Sequence, residues 1–173
     1  MMNHILMTGL PGIGKTTFFT GLAKALEDLN PMGFYTAEIR ERGERVGFEL
    51  ISLDGRRALL SHVKIRGPHR VGKYGIDLKG FEEFLDAIPF LAPASRLVMI
   101  DEIGKMECFS DKFTHLLGNI LDSNRQLIAT IALKGNGFIA ALKKRPDARL
   151  IEITKKNRDS LLADILKEDI CQK

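Results

Sequence analysis

Short apolar runs alternate with helical periodicities along most of the chain. Ile5-Leu6-Met7 is a run of the kind a buried strand shows, and it ends at Gly9. Phe18, Leu22, Leu26 and Leu29 recur at three or four residues, which predicts a helix that Asn30-Pro31 stops. Residues 33–40 read as extended. Val46 to Leu53 alternates apolar with polar positions, residues 59–65 suggest a strand beside it, and Asp54-Gly55 makes a favourable hairpin turn between the two.

Phe81, Phe84, Leu85 and Ile88 mark a helix ended by Pro89. Arg96 to Ile100 runs apolar without alternation, as a strand buried on both faces does. Ser110 is placed to cap a helix carrying Phe113, Leu116, Leu117, Ile120 and Leu121. Residues 126–133 are strand-like, 138–144 make a short helix before Pro146, and 149–153 make the last strand. Leu161, Leu162, Ile165 and Leu166 mark a final helix. Strands alternating with helices imply a three-layer α/β fold, a mostly parallel sheet with helices on both faces. Residues of about 43–75 depart from that rhythm and read as a β-hairpin insertion within a single domain spanning 1–173.

Composition narrows the class. A chain of 173 residues fits one domain with a sizeable core, and 45% hydrophobic residues argue against a largely disordered chain. The net charge of +4, with a pI near 9.1, suits an anionic ligand but is too mild to argue for nucleic acid by itself. Arg56, Arg57, Lys64, Arg66, Arg70 and Lys73 crowd one stretch, with His62 and His69 among them. Cys108 and Cys171 lie far apart, and His4, His62, His69 and His115 form no HxxxH pair. A disulfide framework, a zinc ribbon and a protein-built transition-metal site are therefore not expected. No apolar run approaches the roughly 18 residues of a membrane span, and the first residues do not resemble a signal peptide. The expectation is a cytoplasmic monomer with no membrane partner.

Gly9-Leu10-Pro11-Gly12-Ile13-Gly14-Lys15-Thr16 fits G-x-x-x-x-G-K-[ST] at every fixed position, between a strand and an amphipathic helix. The glycines let backbone N–H groups turn inward around phosphate oxygens, and the helix N-terminus adds donors and the positive end of its dipole. Lys15 is expected to reach the β- and γ-phosphates and Thr16 to bind Mg²⁺. Leu97-Val98-Met99-Ile100 then leads into Asp101, a magnesium-holding acid of the Walker B type at a strand end. Glu102 follows on the other side of the backbone, where it can face a water in line with the γ-phosphate and take its proton. Residues 126–133 are a candidate for a strand between the phosphate-loop strand and the acid. That arrangement, with its glutamate, argues for hydrolysis over transfer to a second substrate. No N-K-x-D segment follows, so guanine specificity of the GTPase kind has no support.

Six segments together carry a resemblance. GLPGIGKTT (residues 9–17, ending at Thr17), GFYTAEIR (33–40), RVGF (45–48), RVGKY (70–74), DEIGKME (101–107) and TKKNR (154–158) occur in order. The chain thereby resembles the thermophilic and cancer-related nucleoside-triphosphatase family over nearly its whole length. The resemblance implies a RecA-like P-loop fold and slow Mg²⁺-dependent hydrolysis of ATP, GTP, CTP and other nucleoside triphosphates, with loose base preference. It puts the nucleotide contacts on Gly9 to Thr17 and on Leu97, Val98, Met99, Ile100, Asp101, Glu102, Ile103 and Gly104.

Several residues divide between two readings. Lys105 is either a cationic finger toward the γ-phosphate or a surface lysine paired with Glu107. Glu38 and Arg40, on an extended run expected beside the phosphate-loop strand, either form a sheet-edge ion pair or hold the attacking water or the γ-phosphate. Arg70, Lys73 and Tyr74 are either a lid over the triphosphate or a solvated basic loop. Asn157 and Arg158 either stand beside a base at the strand ends or, as the simpler account, begin the last helix with Asn157 as its cap. Two other functions use the same features: a P-loop nucleoside or polynucleotide kinase, and a nucleotide-dependent nucleic-acid-binding module.

Overall fold

A computed structural model describes residues 4–167. Among the described residues nine strands form one sheet: β1 (His4–Thr8), β2 (Met32–Glu41), β3 (Glu44–Ser52), β4 (Arg57–His62), β5 (Arg70–Val71), β6 (Tyr74–Ile76), β7 (Leu97–Ile103), β8 (Gln126–Ile131) and β9 (Ala148–Glu152). Their order is β5-β6-β4-β3-β2-β7-β8-β1-β9. From β2 to β9 the pairings are parallel, whereas β2-β3, β3-β4, β4-β6 and β6-β5 are antiparallel. The sheet is therefore mixed. Its parallel half carries the phosphate loop, and the segment read as a hairpin insertion continues the same sheet as β3 to β6.

Strand β8 lies between β1 and β7, as the acid-bearing strand required. Strand β2 does not neighbour β1. It pairs with β7 through Met32↔Val98 and Phe34↔Ile100, leaving β7 and β8 between it and the phosphate-loop strand.

Helices α1 (Lys15–Ala25) and α5 (Arg158–Ile165) cover one face; α2 (Leu78–Asp86), α3 (Asp111–Leu121) and α4 (Gly137–Leu142) cover the other. The central strands feed both cores by alternation. Ile5, Met7, Leu97, Met99 and Ile128 pack under Phe19, Leu22 and Leu161, while Leu6, Val98, Ile100, Leu127 and Ala129 pack under Phe81, Phe113 and Leu117. Both faces being buried is why these strands read as unbroken apolar runs. Phe34 stands at the join of the two halves, in edge contact with Phe84 (centroids 5.6 Å apart) and Phe81 (6.1 Å).

Caps define the second-layer helices. Ser110 accepts a hydrogen bond from Phe113 N–H at 3.1 Å, as its position predicted, and Asp77 caps α2 by accepting from Gly80 N–H at 2.9 Å. Gly55 N–H closes the β3-β4 turn on Ser52 O at 2.9 Å, and residues 63–65, expected as strand, turn away after His62. Cys171 lies outside the described residues. Among those described, no helix is long and apolar enough to cross a membrane.

Candidate functional site

The loop between β1 and α1 reverses the chain through Gly12 (φ 77°) and Gly14 (φ 99°), conformations that side-chain-bearing residues rarely adopt. Gly14 then leads into α1, with Phe18 N–H bonded to Gly14 O at 2.9 Å. Lys15 and Thr16, in the first turn, face the carboxyl ends of the parallel strands. Lys15 Nζ donates to Gly9 O at 3.2 Å and lies 3.9 Å from Glu102 Oε2. Thr16 Oγ1 donates to Asp101 Oδ2 at 2.8 Å.

Asp101 and Glu102 belong to β7, which runs past the expected end at Ile100 to Ile103. Ile100 pairs with Ala129, but the next pair is Ile103↔Ile131, so β7 carries one residue more than β8 over this step. A bulge of this kind re-aims side chains next to active sites. Here it falls on the two carboxylates. Asp101 is 1% exposed and is also bonded by the Thr130 hydroxyl of β8. Burial pushes its pKa up, opposed by the hydrogen bonds from Thr130 and Thr16 and by Lys15. Burial raises the Glu102 pKa as well; Lys15 opposes this, Asp101 adds to it, and Lys143 of the turn after α4 opposes it.

Past β7 the chain makes a tight turn, with Cys108 N–H bonded to Gly104 O at 3.0 Å and Ser110 N–H to Glu107 O at 3.1 Å. Gly104 leaves room there for the ends of two carboxyl side chains. A Cβ on it would come within 2.9 Å of Glu107 Oε2 and 3.0 Å of Glu102 Oε1. Glu107 is not the partner of Lys105. Its side chain is buried, accepting from Gly104 N–H at 3.2 Å, while Lys105 is exposed and forms no ion pair among the described residues. The turn points consecutive side chains apart, so the lysine and the acid two positions later do not meet.

The structure thus brings Gly9–Thr16, Asp101, Glu102 and Gly104 together. Leu97 to Ile100 and Ile103 are buried in the strand as supports. Leu10 is 61% exposed at the loop's crest. The lid candidates are otherwise engaged. Arg70 donates to Ile65 O at 3.0 Å and Lys73 O at 2.8 Å; Tyr74 is buried and its hydroxyl accepts from Arg45 Nε at 2.9 Å. Glu38 pairs with Arg40 at 2.7 Å and Arg45 at 2.9 Å. Asn157 does not cap α5 with its side chain. It accepts from Thr154 N–H and donates to Glu152 O, both at 2.8 Å, tying that loop to the end of β9. Thr130 and Lys143 were not singled out from sequence, although a lone hydroxyl in the apolar run of β8 is a readable signal.

Comparison with known proteins agrees with this geometry. Residues 4–166 match the family described as NTPase. The chain is 43% identical over 163 residues to nucleoside-triphosphatase THEP1 of Thermotoga sp. (strain RQ2), covering 94% of this chain and 92% of the relative. It is 38% identical to the human cancer-related nucleoside-triphosphatase, covering 96% of each. The crystal structure of THEP1 from Aquifex aeolicus superposes with a TM-score of 0.79 at 36% identity, over 94% of this chain and 96% of that one. The solution structure of the human protein superposes with a TM-score of 0.81 at 34% identity, over 99% of each chain.

Proposed function

The chain belongs to the NTPase family, and from that premise we propose that it is a magnesium-dependent nucleoside-triphosphatase. In this reading it hydrolyses ATP, GTP, CTP and other nucleoside triphosphates to the diphosphate and phosphate, with loose base preference. The observation that carries the reading is the convergence of a phosphate loop, the Thr16–Asp101 pair and a half-buried Glu102 3.9 Å from Lys15. Every group in that set addresses phosphate, cation or water, and none addresses a base. The protein acts as a cytoplasmic monomer with no membrane partner in this account.

Thr16 and Asp101 would hold Mg²⁺. They offer hard oxygen donors side by side, and Asp101 is buried with two hydroxyl donors and no cationic side chain bonded to it among the described residues. Bound there, the ion supplies charge neutralisation at the phosphoryl oxygens. The residues of the chain do the rest. Backbone N–H groups of the loop from Gly12 to Thr16 cradle the phosphates, and Lys15 neutralises the charge that develops on the transferring group. Glu102 takes the proton of the attacking water, and burial moves its pKa toward the neutral range in which a base works best.

The test is phosphate release from a panel of nucleoside triphosphates, with and without Mg²⁺ and with and without nucleoside or polynucleotide acceptors. Metal-dependent release that acceptors leave unchanged is the expected result. Phosphate appearing on an acceptor would replace the hydrolase with a kinase.

A further inference from the structure

Glu107 has no role in the reaction just described, yet it is a carboxyl group 5% exposed in the turn that follows the catalytic strand. Its Oε2 accepts from Gly104 N–H at 3.2 Å, and no cation is paired with it among the described residues. The absent Cβ of Gly104 marks a point within 3.0 Å of both Glu107 Oε2 and Glu102 Oε1. Two carboxyl groups thus flank one glycine, each closing one side of the space that the other could enter.

We propose that the buried carboxyl of Glu107 is a positioning residue for Glu102, bracing the backbone at Gly104 and governing by its own protonation which way the Glu102 carboxylate points. The proposal rests on Glu102 being the base. A protonated Glu107 leaves Glu102 free to stay on the crevice side beside Gly104. An ionised Glu107 places a like charge next to it in a poorly solvated space, where such repulsion is strong. Burial, with the charges of Glu102 and Asp101, pushes the Glu107 pKa up to about 8. The group is therefore neutral at pH 7 and gains its charge as pH rises through about 8.

The other titratable or charged groups here are few. Asp101 and Glu102 face Glu107 from β7, and Lys15 and Lys143 act on Glu102. His69 packs on Phe109 of the same turn, with ring centroids 5.3 Å apart. The neighbouring Cys108 thiol is pushed up to about 12 by burial and by Glu107, above the window concerned.

The experiment measures kcat and KM for the wild type, Glu107→Gln and Glu107→Ala between about pH 6 and pH 9.5 in saturating Mg²⁺. The wild type should lose about 10-fold or more in kcat above about pH 8, with KM steady. Glu107→Gln, uncharged throughout, should lack that alkaline fall. Glu107→Ala removes the brace and should lower kcat about 10- to 100-fold with KM within about 3-fold, as misplacement of a catalytic group does. An alkaline fall kept intact in Glu107→Gln, or wild-type kcat in Glu107→Ala, overturns the proposal. So does a parallel loss of kcat and rise of KM in both variants, which marks a structural role alone. Glu102→Gln run alongside separates the two readings: full activity in that variant removes the base itself, whatever Glu107 does.

Discussion

The two halves of the sheet treat charge in opposite ways. In the antiparallel half, acids meet cations on the surface: Glu38 with Arg40 and Arg45, Glu49 with Arg57, Asp54 with Arg56, and Glu41 with Lys64. In the parallel half, Asp101, Glu102 and Glu107 gather behind the phosphate loop, where burial raises the pKa of all three and Lys15 is the one cation within 4 Å of Glu102 among the described residues. The first arrangement is complete without a ligand. The second gathers acidic groups with a single nearby cation beside a cradle of N–H donors, and in the proposed reading bound cation with phosphate completes it. The density of basic residues in 56–73 is therefore a poor guide to the site. Unpaired burial is the better one.

The strongest way to disturb both halves together is at their join. Phe34→Ala should cost about 3–5 kcal/mol of stability, because the ring is fully buried and packs on Phe81, Phe84, Phe90 and Phe113. Denaturant unfolding measures it, and a loss under about 1 kcal/mol would mean the halves are not packed on this residue. Next comes Lys15→Ala. Leaving the triphosphate without its charge partner should weaken nucleotide binding about 30- to 4,000-fold, read by titration calorimetry; unchanged affinity would remove the phosphate-loop assignment.

Thr130→Val tests whether β8 contributes chemistry. Asp101 would lose one of its two hydroxyl donors, and a hydrogen bond to a charged group corresponds to about a 10- to 150-fold fall in kcat/KM. Activity equal to wild type would reduce Thr130 to packing. The smallest effect belongs to the antiparallel half. A double-mutant cycle on Glu38 and Arg45, both more than a third exposed, should give a coupling of about 0.2–1 kcal/mol and leave turnover unchanged. Hydrogen bonds from Arg45 and Arg40 hold the Glu38 carboxyl below its ordinary pKa. The coupling is then fully present at neutral pH and disappears as acid protonates Glu38. A loss of turnover on removing either residue would return the sharper reading, in which Glu38 holds the attacking water.

Much of the parallel half was legible because its signals are local. The phosphate loop, the apolar run into Asp101-Glu102 and the Ser110 cap each lie within a few residues, and β8 followed from where the acid had to stand. The position of β2 was not legible. Strands β7 and β8, later in the chain, enter between it and β1, and no local pattern records that crossover. Strands β5 and β6, two and three residues long, are too short to show a period. One of the two readings of Lys105 paired it with Glu107, two positions along the chain, while the turn at Gly104 buries the acid and exposes the lysine.

The central claim is that Glu102 is the base at a site otherwise built to bind. Single-turnover hydrolysis and Mg-nucleotide affinity, measured together on Glu102→Gln, test it most directly. The account predicts near wild-type affinity with hydrolysis slowed about 10²- to 10⁴-fold. Hydrolysis at the wild-type rate in that variant would contradict it.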